Sequence, residues 1–225
     1  MEHMSYIIFI CTAAPLLLML IPIEKHSRKV ILFMLIGMFC CLFVSEVNGL
    51  LLRVSDFDIL YFTTNITPIT EEIVKALPVL LYAVFYTSVR KNLLTASFSV
   101  GVGFAMLENL LILTQNFRTV DLWFAAMRGF GSGLMHSICT IMVGYFIVFV
   151  RKQRKIFICG TVTALIFAVV YHAVFNLLVQ AGSVVARDAG LLMPFITYLL
   201  VNFRVFSVWK ARREKEAAGM REHEK

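Results

Sequence analysis

The fold predicted by the sequence is an all-α, polytopic transmembrane helix bundle, and three observations predict it. Of 225 residues, 60% are hydrophobic and only 16% charged, where soluble domains show about 45–50% and 25%. Mean hydropathy is +0.83. Apolar stretches recur at lengths that cross about 30 Å of hydrocarbon at about 1.5 Å per helical residue. Basic residues gather in alternate connections, as a chain threading a membrane requires.

Seven spans are expected, near residues 4–23, 30–52, 60–87, 93–115, 121–150, 156–180 and 190–209. The first is expected to remain a helix and not to be removed as a signal, because the lead-in MEHM is acidic and no small-residue cleavage site precedes EKHSRK. Lys25, Arg28 and Lys29 fill the first connection, Arg90 and Lys91 the third, and Arg151, Lys152, Arg154 and Lys155 the fifth. Lys210, Arg212, Arg213, Lys215, Arg221 and Lys225 follow the last span, so one side holds 15 basic residues. The other holds 3: Arg53, Arg118 and Arg187. The positive-inside rule then places the N-terminus outside and the C-terminus in the cytoplasm. The net charge of +7 is explained by these loops and calls for no nucleic-acid partner. Residues 1–209 form one membrane domain, and 210–225 a charged cytoplasmic tail against anionic headgroups. No internal repeat or second domain interrupts the chain. Cys11, Cys40, Cys41, Cys139 and Cys159 all fall in apolar runs without a CxxC pair, which reads as small buried hydrophobes and no disulfide framework.

With the loops and the helix ends set aside, few ionisable residues remain: Glu46, Glu71, Glu72, Lys75, Glu108, Arg128, His136 and His172. A charge near the bilayer centre costs about 2.5–3.5 kcal/mol even on lenient insertion scales, so each needs a reason. Glu72 lies 18 residues from Arg90, Glu108 17 from Lys91, His136 15 from Arg151 and His172 17 from Lys155. At the helical rise these four share a depth of about 22–27 Å from the cytoplasmic edge. Four helices thus offer a carboxylate or imidazole at one level, toward the outer face.

Each has a plainer reading. Glu71 and Glu72 stand at i,i+4 and i,i+3 to Lys75, so one ammonium can serve both as a structural pair. Glu108 with Asn109 can be a helix–helix hydrogen bond, and a lone His136 a satisfied interhelical histidine. The Gly129, Gly131 and Gly133 run reads as close helix packing. Glu46 and Asn48 point to different faces, which favours packing. Arg128 sits near the outer end of its helix, where its side chain can reach the interface. His172 and Asn176, one turn apart, aim a base and an amide at one spot.

Carboxylates, imidazoles and a carboxamide in a polar pocket suit acid–base chemistry with water as nucleophile, with an amide donor for the oxyanion. That set describes an amide hydrolase. HExxH is absent, GFGSG lacks the first glycine of GxSG, and no Asp lies inside a span away from its end. A zinc site from separate helices stays open, but the expectation is chemistry with no metal and no cofactor. Rival readings are a proton- or ion-coupled transporter built on the same groups, and a non-catalytic protein that binds a membrane partner.

EEIVK (71–75), FAMLEN (104–109), His136 after the glycines and HAVFN (172–176) resemble the four motifs of the PrsW-type glutamic intramembrane proteases, relatives of the type II CAAX prenyl endopeptidases. The resemblance covers about residues 65–180. It implies a multi-pass protease of the cell membrane in which Glu71 or Glu72 activates water and Glu108, His136 and His172 complete the site. Lys75, Asn109 and Asn176 support them. It also implies a single-span membrane substrate, typically an anti-sigma factor, cut near its outer face in stress signalling. Lys75 stands where the CAAX relatives carry an arginine one place later, and Glu108–Asn109 where they carry a histidine, which speaks against prenylated substrates.

Overall fold

The computed structural model describes residues 4–116, 118, 121–150 and 154–201. Seven helical segments stand near the expected positions, and no strand occurs among the described residues. They are α1 (Met4–Met19), α2 (Lys25–Val54), a rod from α3 (Ile59–Tyr61) through a π-helical turn (Phe62–Ile66) into α4 (Thr67–Phe85), α5 (Arg90–Gln115), α6 (Leu122–Val150), α7 (Arg154–Val179) and α8 (Val184–Val201). The stretches in α2, α5, α6, α7 and α8 are long and apolar enough to cross a membrane. Met4–Met19 is shorter, and α4 carries Glu71, Glu72 and Lys75, which lower its hydropathy. Arg151, Lys152 and the tail 210–225 lie outside the described residues.

Local signals set the ends. The Asp58 carboxylate accepts from Tyr61 N–H at 2.9 Å and opens α3, and Asp121 accepts from Phe124 N–H at 2.6 Å to open α6. The last helix starts six residues before the expected 190. Ser183 C=O takes the first helical bond from Arg187 N–H at 3.1 Å, so exposed Arg187 and Asp188 belong to the first turns of α8 and not to a loop.

The bundle is polar at its centre and apolar outside. Phe130, Ile166 and Leu177 are exposed, whereas Glu72, Lys75, His136 and His172 are almost fully buried. α4 runs through the middle and packs on α2, α5, α6 and α7; α5 lies between α2 and α6, and α1 sits at the edge against α2 and α5. Close helix packing is not where the glycine run suggested. A Cβ at Gly129 or Gly133 would meet nothing within 4 Å, and one at Gly131 only Leu191 of α8, its carbonyl oxygen 3.3 Å away. The tight contacts fall at Gly37 and Gly103 between α2 and α5, and at Gly101, where a Cβ would lie 2.6 Å from Ser137 Cα. Three glycines at i, i+2 and i+4 do not share one face. All five cysteines are free, though Cys11 and Cys159 are exposed and not buried.

The π turn has a cause in the sequence. Thr67 N–H reaches back five residues to Phe62 C=O, and Pro68 has no N–H to give. Thr63 C=O therefore loses both of its helical donors. It is taken instead by the Asn176 side chain of α7, whose Nδ2 donates at 3.0 Å.

Candidate active site

The four depth-matched groups meet. Glu72 Oε1 accepts from Lys75 Nζ at 2.6 Å and from His172 Nδ1 at 2.7 Å. Lys75 Nζ also lies 2.8 Å from His136 Nδ1 and 4.7 Å from the centre of the Phe104 ring. On its far side, His136 Nε2 meets Glu108 Oε2 at 2.9 Å. The same oxygen takes Ser132 Oγ at 3.2 Å and Arg128 Nη2 at 3.2 Å.

Donor and acceptor roles follow along this chain. An ammonium only donates, so His136 Nδ1 accepts, and its proton sits on Nε2 facing Glu108. A carboxylate only accepts, so His172 carries its proton on Nδ1 toward Glu72. His172 Nε2 then presents a lone pair, and what it faces is Glu71 Oε2 at 3.8 Å. Glu71 Oε2 is buried and has no hydrogen-bond partner among the described residues. Two acceptors face each other there, an arrangement that needs a donor or cation between them.

The two adjacent glutamates are thereby separated. Glu72 is tied to Lys75 and His172, and Glu108 to Arg128, Ser132 and His136. Glu71 is left without a counter-charge. It lines a cavity of about 840 Å³ with Glu108, Arg128 and Asn176, between α2, the α3–π segment, α5 and α7; Glu72 does not. The cavity reaches to Ile59, Gln115 and Gln180 at the ends of those elements.

Asn176 spends one amide hydrogen on Thr63 C=O and keeps the second, at the cavity wall. Asn109 stands apart, outside the cavity lining, its Oδ1 buried without a partner. Glu46 is exposed and stands away from Asn48, which accepts from Thr70 Oγ1 at 2.7 Å beside the cavity. Two residues absent from the sequence-based site belong to it: Arg128 and Ser132. With His136 they form an i, i+4, i+8 row on α6, and that spacing was the signal.

A family model described as PrsW family intramembrane metalloprotease matches residues 25–208. The chain belongs to the PrsW family. It is thus a multi-pass intramembrane protease, as its motifs suggested. No curated protein and no solved structure matches the chain. The family's description implies a metal, and the residues fit one. Glu71, His136 and His172 each offer a ligand atom, all within 4.8 Å of one another, a carboxylate–imidazole set that zinc accepts. Glu72 behind His172 is placed as carboxylates are behind ligand histidines.

Proposed function

We propose that this PrsW-family protease cuts a single-span membrane protein, of anti-sigma-factor type, near the outer face of the membrane, with Glu71 as the general base. The observation that carries the assignment is the buried Glu71 Oε2, unpartnered among the described residues and facing His172 Nε2 across 3.8 Å, on a glutamate that lines the cavity. A water held between those acceptors gives its proton to Glu71 as its oxygen adds to the scissile carbonyl. The free amide hydrogen of Asn176 receives the developing oxyanion. His172 Nε2 is placed to carry the proton from Glu71 to the leaving amine, which closes the proton balance as the C–N bond breaks. Glu72 and Lys75 hold His172 and His136 in the required tautomers. Positive-inside orientation puts the cavity toward the outer leaflet. The substrate segment must unwind on entering, because a helical peptide keeps its carbonyls bonded internally.

A second reading rests on the convergence of Glu71, His136 and His172. Those three would hold a divalent cation, which would supply Lewis acidity toward water and carbonyl. To ligate, His136 would exchange one of its present partners, Lys75 or Glu108, for the ion. Purified protein in detergent, offered a panel of single-span substrates, tests both readings. Glu71→Gln is expected to lower cleavage by about 10²–10⁴-fold, and cleavage by the parent is expected to survive strong chelation. Loss on chelation, restored by zinc alone, would transfer the role of Glu71 from base to ligand. Proton or ion flux without cleavage would replace the protease reading with a carrier.

A further inference from the structure

Arg128 has a donor too many for its place in the site. One guanidinium nitrogen, Nη2, meets Glu108 Oε2 at 3.2 Å, and that pair accounts for the charge. Nε is also buried, and among the described residues nothing accepts from it. The side chain is 15% exposed and lines the cavity beside Glu71 and Glu108. A buried N–H without an acceptor is costly, and in a guanidinium the donors are held in one rigid plane. Pairing with Glu108 therefore fixes where Nε–H points.

An unwound peptide segment brings what is missing. Once its helical bonds open, each residue carries a carbonyl oxygen with no donor. We infer that Arg128 forms a substrate-backbone subsite, its Nε–H donating to a peptide carbonyl of the unwound segment next to the scissile bond, while Nη2 holds Glu108. The ligand chemistry is a main-chain carbonyl, so the subsite favours opened chain over intact helix and does not select a side chain. The inference rests on the protease reading, since it needs a peptide in the cavity.

Binding can be measured without cleavage in a Glu71→Gln background. The probe is a synthetic peptide of about 20 apolar residues with a Gly-Pro step and a fluorophore, titrated by anisotropy in detergent. Arg128→Lys keeps a cation beside Glu108 but has no donor nitrogen at the position of Nε; Arg128→Met has neither. Each is expected to raise Kd about 10-fold, the effect of one charged hydrogen bond. Single amide-to-ester replacements are then scanned across the Gly-Pro step, since an ester carbonyl accepts more weakly. At one position the ester should weaken binding to the parent and add nothing in Arg128→Lys, the coupling that marks a direct contact. Unchanged Kd in the lysine variant, or ester losses independent of residue 128, would overturn the subsite. Failure of the Arg128-containing protein to bind any such peptide would instead remove the protease reading beneath it.

Discussion

The two sides of the bundle are built by opposite means. Around α5 the contacts are backbone against backbone: Gly37 and Gly103 bring α2 onto it, and Gly101 brings α6 within 2.6 Å of where a Cβ would be. Around the π turn the contacts are single side-chain bonds. Asn176 Nδ2 donates to Thr63 C=O at 3.0 Å, and Thr63 Oγ1 donates to Gln180 Oε1 at 2.8 Å. The first side has almost no freedom to move, because interdigitated backbones have no rotamers to exchange. The second opens if one or two bonds exchange partners. Glu108 and His136 are held by α5 and α6 on the sealed side, and His172 and Asn176 by α7 on the other; Glu108 and Asn176 both line the cavity between the two sides. The difference suggests a division of labour in which the α5–α6 wall fixes geometry and the α3–α7 side admits chain.

Between the two sides, and short of the loss expected for Glu71→Gln, the larger effect is expected on the open one. Asn176→Ala removes both the proposed oxyanion donor and the side-chain bond that Thr63 C=O accepts, and cleavage should fall by about 10²–10³-fold. Pro68→Ala separates those two roles. It returns an N–H to residue 68, so Thr63 C=O can be satisfied within its own helix and Asn176 is released to other partners. Cleavage should fall by about 10-fold, on the order of one misplaced hydrogen bond, with thermal stability unchanged or raised. Kinetics alongside a melting curve would check this. A Pro68→Ala protein with full activity would show that the π turn does not position Asn176.

The sealed side should answer in stability before activity. Gly101→Ala puts a methyl 2.6 Å from Ser137 Cα and 2.7 Å from His136 C=O, contacts between two backbones that no rotamer can relieve. Overpacking of this kind costs about 1–3 kcal/mol, readable as a lower melting temperature in detergent. Gly133→Ala, one turn from Ser137, meets nothing and is the matched control. Equal losses in the two would erase the contrast between the sides.

How much of this was legible depended on whether a residue announced itself or needed a partner. Glu71, Glu72 and Lys75 stood out because apolar surroundings make any charge conspicuous, and matched depth alone brought Glu108, His136 and His172 to one place. Which glutamate faces the cavity was not legible, since neighbours on a helix diverge by about 100° and only the packing of α4 fixes its rotation. Arg128 was read from its distance to the helix end, which hid its spacing to Ser132 and His136. The Asn176–Thr63 bond is a tertiary fact, although Pro68, five residues past Thr63, marks the carbonyl it frees. The packing glycines were missed for the reason that separated the glutamates: facing direction is not in the spacing.

The smallest effect is expected at Cys139, and the contrast between the sides explains why. It lies one turn from His136 and so invites a reading as a nucleophile. Its Sγ is fully buried in the sealed region, 3.5 Å from Ala168 C=O and 3.8 Å from Met135 Sδ. It does not line the cavity, so a substrate that reaches Glu71 does not meet it. A thiol there acts as a small apolar filler. Cys139→Ala removes one sulfur from a packed core and should cost about 1 kcal/mol of stability while leaving the cleavage rate within about twofold. Cys41 is the fit comparison, because it is equally buried yet does line the cavity, so bulk added there should hinder substrate where bulk at Cys139 only strains the core. If Cys139→Ala abolished cleavage in a folded protein, the boundary drawn between the packed wall and the reacting cavity would have to move to include it.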